Sequence, residues 1–167
     1  MLQLRDLPNA EILKKFEQRY PEADIDSVII FLRLLRVTAD LSSALDQYLN
    51  RHGLLQGRWW VMILLMREDN FTSTPSLLAE KAGVSRATMT RLIDGLERDA
   101  LVTRQFDSQD RRSFSVTLTK SGQKKLDKLM PDYYLRLKAS MKPLGAARYA
   151  QLNELLDAVQ AGISAFE

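Results

Sequence analysis

Ser76-Leu77-Leu78-Ala79-Glu80-Lys81-Ala82-Gly83-Val84-Ser85-Arg86-Ala87-Thr88-Met89-Thr90-Arg91-Leu92-Ile93-Asp94-Gly95-Leu96 is the stretch on which the reading of this chain turns. A helix-turn-helix needs a small residue where two helices cross. It also needs a glycine able to take φ > 0 in the turn, and apolar side chains that lock the helices together. Ala79 is the small residue, and Gly83 follows it at the turn. Leu78, Ala82, Val84, Met89 and Leu92 supply the lock. The first helix follows Pro75 and spans Ser76 to Lys81. Ser85 N-caps the second, which is expected to run to about Ala100. The competing reading is an ordinary helical hairpin that binds nothing, and the flanking segments argue against it.

The second helix divides by face. Met89, Leu92, Ile93 and Leu96 stand at i, i+3, i+4 and i+7 and face a core. That leaves Arg86, Ala87, Thr90, Arg91 and Asp94 outward, with Thr88 on the flank. Short polar side chains with two arginines in the N-terminal half suit a helix entering a major groove. An arginine chelates a guanine edge through O6 and N7, and Thr90 and the Ala87 methyl suit thymine methyls. Ser85, at the helix N-terminus, suits a phosphate. Asp94 is the discordant residue, because a phosphate repels it.

Leu101 to Phe106 and Ser113 to Leu118 read as two strands, the second alternating polar and apolar residues. Asp107-Ser108-Gln109-Asp110-Arg111-Arg112 joins them. In isolation such a tip is a solvated turn. Beside a recognition helix it is a wing. An arginine entering a narrow minor groove is favoured by that groove's negative potential. Asp110 is placed to hold one arginine extended by a charged hydrogen bond. Arg111 and Arg112 both remain candidates for insertion.

Around this unit the chain reads as helices. Ile25 to about Leu49 carries apolar residues on two adjacent faces, so it must bury more than one side. Asp24 is its N-cap and Gly53 ends it. Gly57 to Arg67 is a short, largely buried helix. Asp69 to Pro75 is a polar break with room for one short extended segment. Thr119 caps a further helix in which Pro131 is expected to produce a kink. After Pro143 and Gly145, a last helix carries Tyr149, Leu152, Leu155, Leu156, Val159, Ile163 and Phe166 on one stripe. That stripe must pack on the first long helix, on a second copy of the chain, or on both. The expected fold is mainly α with a small β-hairpin. Residues 1–53 form an N-terminal extension and dimerisation helix, 54–119 a winged helix-turn-helix lobe, and 120–167 the C-terminal dimerisation helices.

Composition narrows the function. The 167 residues hold 24 Lys and Arg against 21 Asp and Glu, a net charge of +3. From Lys81 to Arg112 there are seven basic and five acidic residues, so DNA binding must depend on placement more than on bulk charge. Cysteine is absent, which removes disulfides, thiolate nucleophiles and sulfur-bound zinc. His52 is the one histidine, so no multi-histidine metal site fits within one chain, and no cofactor is expected. The longest apolar run, Trp59 to Met66, is eight residues, far short of the ~20 that span a bilayer. No signal-peptide pattern opens the chain, so a soluble cytoplasmic protein is the default expectation. There is no Gly-rich phosphate loop, Ser-x-x-Lys or His-Glu-x-x-His, and the reading is of a protein that is not an enzyme.

The run Leu77 to Arg98, the wing Asp107 to Arg112 and Leu118-Thr119-Lys120-Ser121-Gly122 together resemble the MarR family of winged-helix transcriptional regulators. The likeness covers Ile25 to Phe166. The extension before Ile25, with Pro131, resembles the family's drug-efflux regulators. The resemblance implies a homodimer that interlocks its first and last helices and binds a palindromic operator on double-stranded DNA, usually as a repressor. It also implies release by a small aromatic or phenolic effector in a cleft between the dimer helices and the DNA-binding lobe. The lack of cysteine excludes the oxidant-sensing mechanism of one branch, and the single histidine argues against metal-responsive relatives.

Candidates for the cleft are Tyr48, His52, Trp59, Trp60, Met62 and Met66, since aromatic and methionine side chains line adaptable pockets. The same residues also read as plain core. Arg33, Arg36 and Arg58 are cations for an anionic ligand or for acidic neighbours. The alternative function is a winged-helix protein–protein interaction module without DNA function. It predicts an apolar exposed helix face, against which Arg86, Thr90 and Arg91 argue.

Overall fold

The computed structural model describes residues 6–106 and 114–166. The extension before Ile25, read without an element of its own, holds a helix α1 (Ala10–Arg19) whose first turn is capped by Asn9 Oδ1 accepting from Ile12 N at 3.0 Å. Leu13 is its buried anchor. Helix α2 (Ile25–Arg51) is 27 residues, about 40 Å at the helical rise. Asp24 occupies its N-cap position without a side-chain bond to the backbone. Only Tyr48 and Leu49 of α2 are buried, so its double apolar face is largely left open within one chain. Gly53, at φ +64°, turns the chain out of α2, and Leu54 N returns to the Leu49 carbonyl at 3.1 Å. That left-handed step favours glycine.

Helix α3 (Gln56–Met66) is a core helix, with Trp59, Val61, Met62, Leu64 and Leu65 all buried. After a short 3-10 turn the chain forms strand β1 (Thr72–Ser73), then α4 (Pro75–Ala82) and α5 (Arg86–Arg98). Strands β2 (Val102–Phe106) and β3 (Phe114–Leu118) pair antiparallel, Val102 opposite Leu118 and Phe106 opposite Phe114. The short extended segment allowed for in the polar break adds β1 to the far edge of β3, giving the order β1-β3-β2. The Thr72 and Thr117 hydroxyls meet there at 2.8 Å. Helix α5 ends at Arg98, earlier than the expected Ala100. Ala100 instead takes φ +57°, and Leu101 N reaches back to Leu96 O at 2.9 Å.

Thr119 caps helix α6 (Lys120–Met141) by accepting from Gly122 N at 3.0 Å, while its hydroxyl lies 2.8 Å from the Ala100 carbonyl. A Cβ on Gly122 would stand 2.3 Å from the Leu101 carbonyl oxygen, so the helix can approach this closely only with glycine there. The Leu-Thr-x-x-Gly sequence is therefore a joint between α6 and the end of α5. Helix α6 continues past Pro131 to Met141. Pro131 and Asp127 both lie on the exposed side, so water can satisfy the carbonyl that the proline leaves without a donor. Helix α7 (Tyr149–Ala161) buries none of its residues. Its stripe stays open except at half-buried Leu152, and Phe166 beyond it, itself exposed, stacks on Phe31 with ring centroids 5.8 Å apart.

Candidate nucleic-acid interface

The turn between α4 and α5 is built as the residue pattern requires. Gly83 takes the left-handed conformation (φ +63°, ψ +34°), and Val84 N donates to Ala79 O at 3.0 Å. Ala79 and Leu78 are buried where the two helices meet. Thr74 caps α4, accepting from Leu77 N.

Helix α5 separates its faces cleanly. Met89, Ile93 and Leu96 are 0% exposed, and Leu92 is half-buried. Ser85, Arg86, Ala87, Thr88, Thr90 and Arg91 are all exposed. Ser85 Oγ accepts from Thr88 N at 3.1 Å and lies 2.9 Å from the Thr88 hydroxyl. Thr90 donates its hydroxyl to the Arg86 carbonyl at 3.0 Å. Its methyl and its acceptor lone pairs are left for a partner. The exposed face is polar and cationic, unlike the apolar face of a protein-docking helix. The wing candidates Asp110, Arg111 and Arg112 lie outside the described residues.

Two arginines from other elements reach α5. Arg104 on β2 pairs with Asp94, places Nε 3.3 Å from Glu97, and lays its guanidinium over the Phe114 ring at 4.9 Å. Arg58 on α3 pairs with Asp99 at 2.8 Å. Its guanidinium crosses Gly95, where a Cβ would come within 2.3 Å of it. Arg36 likewise pairs with Asp40 at 2.8 Å, so two of the three cations considered for a ligand meet acidic neighbours.

Two cavities flank α6. One, about 630 Å³, lies between α2 and α6 and is lined by Leu41, Leu45, Tyr48, Arg51, Gln56, Tyr133, Arg136 and Leu137 among others. The other, about 480 Å³, is lined by Trp59, Trp60, Ile63, Met66, Met130, Tyr133, Tyr134 and Leu137 among others. Of the sequence candidates, Tyr48 lines the first and Trp59, Trp60 and Met66 line the second. Met62 is fully buried in the core, and His52 packs its ring 4.8 Å from Tyr48; neither lines either of these two cavities. Tyr133, Leu137, Arg51 and Arg136 are not among the sequence candidates; Tyr133 and Leu137 stand at i and i+4 on α6, the spacing of any core-facing helix stripe. The available signal was the Asp132–Arg136 spacing beside two tyrosines; that pair forms at 2.7 Å. Tyr48 donates to the Leu129 carbonyl at 3.1 Å. Burial first, and then the Asp132 carboxylate, push its phenol above the usual range. The Arg136 hydrogen bond holds Asp132 below the usual carboxylate range.

A sequence model described as the MarR family matches residues 49–113, which contain the whole helix-turn-helix. The chain is 30% identical to the crystal structure of the transcriptional regulator PA4135, with a TM-score of 0.64, covering 78% of this chain and 95% of that one. This chain belongs to the MarR family. Among other MarR-type relatives, the transcriptional repressor YetL of Bacillus subtilis (strain 168) is 28% identical over 141 residues, 84% of each chain. The crystal structure of NadR in complex with 4-hydroxyphenylacetate is 26% identical, with a TM-score of 0.60, covering 78% of this chain and 91% of that one. As a MarR-family protein the chain is a winged-helix, DNA-binding transcriptional regulator; its relatives and fold are those of regulators, not enzymes. Among the described residues, no helix is long and apolar enough to cross a membrane.

Proposed function

We propose that this MarR-family regulator acts as a homodimeric repressor of a palindromic operator and is released by a small aromatic or phenolic acid. The observation that carries the DNA face is the division of α5, with Met89, Ile93 and Leu96 fully buried and Ser85 to Arg91 otherwise exposed. Arg86 and Arg91 read base edges, Ala87 and Thr90 meet thymine methyls, and Ser85 and Thr88 hold phosphate. The Asp110-Arg111-Arg112 tip enters the adjacent minor groove.

The dimer reading rests on apolar surface left open on the N-terminal and C-terminal helices. Phe31, Leu35, Val37, Leu41, Leu155, Leu156, Val159 and Ile163 are all exposed in one chain. A patch of that extent marks an interface. Two-fold pairing through α2 and α7 sets two recognition helices about one helical turn of DNA apart.

The effector reading rests on the two cavities that share Tyr133 and Leu137 as walls. Both have the size of a small-molecule site. Arg51 and Arg136 in the larger one suit a carboxylate, and the tyrosines suit an aromatic ring. NadR, crystallised with 4-hydroxyphenylacetate, is a relative of this kind. A ligand that fits only one dimer geometry moves the recognition helices off the operator spacing.

The test is a gel shift with the Arg91→Ala/Arg112→Ala double variant. It is expected to lose specific retention while remaining dimeric. Retention equal to wild type contradicts the assigned face.

A further inference from the structure

Helix α5 and its C-cap carry three arginines, Arg86, Arg91 and Arg98, against three acids, Asp94, Glu97 and Asp99. Taken alone, that segment is neutral and a poor partner for a polyanion. Asp94 is the sharpest problem, because it shares a face with Thr90 and Arg91, four and three residues before it. Asp99 is a second, because a carboxylate at a helix C-terminus opposes the macrodipole.

All three acids are taken up by cations from outside the helix. Arg104 of β2 engages Asp94 and Glu97, and Arg58 of α3 engages Asp99. Both arginines are held in place. Arg104 is only 17% exposed in its side chain and stacks on Phe114, and Arg58 is 19% exposed and lies across Gly95. Among the described residues, Arg86, Arg91 and Arg98 form no ion pair.

We propose that Arg58 and Arg104 are positioning residues for DNA binding. They draw the acids of the recognition helix onto fixed guanidinium groups, so that the helix meets phosphate as a cationic face. This deepens the DNA-binding reading and rests on it. It also gives β2, the root of the wing, a fixed electrostatic tie to α5.

The test measures binding of a short labelled duplex of mixed sequence by fluorescence anisotropy over a salt series. Such binding is sequence-independent and reads the phosphate contacts directly. Arg104→Gln is expected to bind several-fold more weakly, with a log–log salt slope shallower by about one unit. Adding Asp94→Asn and Glu97→Gln to Arg104→Gln is expected to restore wild-type affinity and slope, because no acid then remains to mask. Arg104→Lys, which keeps the charge, is expected to stay near wild type.

Wild-type binding by Arg104→Gln overturns the proposal. So does a triple variant as weak as Arg104→Gln, since Arg104 would then act through shape alone. If thermal melting shows Arg104→Gln to be unfolded, Arg58→Gln and its rescue by Asp99→Asn decide the matter by the same two criteria. A wild-type protein that binds no duplex at low salt overturns the DNA-binding reading itself, an outcome distinct from failed rescue.

Discussion

Gly122 and Leu101 are in contact so close that a methyl group on the glycine would sit 2.3 Å from the Leu101 carbonyl oxygen. The contact fixes the first turn of α6 against the exit from α5, and Thr119 bridges the same gap by its hydroxyl, 2.8 Å from the Ala100 carbonyl. Gly122→Ala is therefore expected to destabilise the fold by about 1–3 kcal/mol through overpacking against backbone. Thr119→Ala is expected to cost about 1 kcal/mol as a lost cap. Urea unfolding followed by circular dichroism measures both, and unchanged midpoints contradict this account of the joint.

Gly95 makes a different kind of contact. A Cβ there meets the guanidinium of Arg58, the far end of a flexible side chain, at 2.3 Å. Gly95→Ala displaces that end and breaks the Arg58–Asp99 pair, while alanine gains helix propensity. Thermal stability is expected to hold, and affinity for duplex DNA to fall. A parallel loss of both shows that Gly95 serves packing rather than the placement of Arg58.

The open stripe of α7 predicts its own experiment. Leu155 is 58% exposed and Val159 46% exposed in one chain. Replacing both by Glu is expected to convert a dimer into a monomer in sedimentation equilibrium, with helical content retained. A monomeric wild type, or a dimer indifferent to both changes, contradicts the proposed pairing.

The faces of α5, the turn at Gly83, the cap at Ser85 and the pairing of β2 with β3 were legible because they follow from local periodicity and turn chemistry. Helix α1 escaped notice because only ten residues carry its pattern, anchored by the single buried Leu13. The ties of Arg104 to Asp94 and of Arg58 to Asp99 were not legible. They join a strand or a core helix to α5 at ten and 41 residues' separation, across a fold that periodicity does not specify. The cavities were only partly legible for the same reason. Tyr48 meets Leu129 across 81 residues of chain, so the cavity walls could not be paired in advance.

Around the larger cavity, Asp132 is held below the ordinary carboxylate range by Arg136, and Tyr48 is raised above its ordinary value. A depressed carboxyl stabilises the fold above its unfolded-state pKa and loses that contribution as pH falls through its folded value. Asp132→Asn is therefore expected to lower the melting temperature at neutral pH and to converge with wild type in acid, so that the acid limb of the profile is flatter. An unaltered acid limb shows that the Asp132–Arg136 pair is not maintained in solution.

If an anionic effector binds beside Arg136, Arg136→Gln is expected to weaken binding of 4-hydroxyphenylacetate more than binding of its neutral amide, as read by calorimetry. Equal weakening of the two points to ring packing alone.

Selection of bound duplexes from random DNA by the purified wild-type protein tests the central claim most directly. The account predicts enrichment of an inverted repeat whose half-sites are centred about one helical turn, ~10 base pairs, apart. Enrichment of a single unrepeated site, or none at low and moderate salt alike, contradicts a two-fold pair of α5 helices reading DNA.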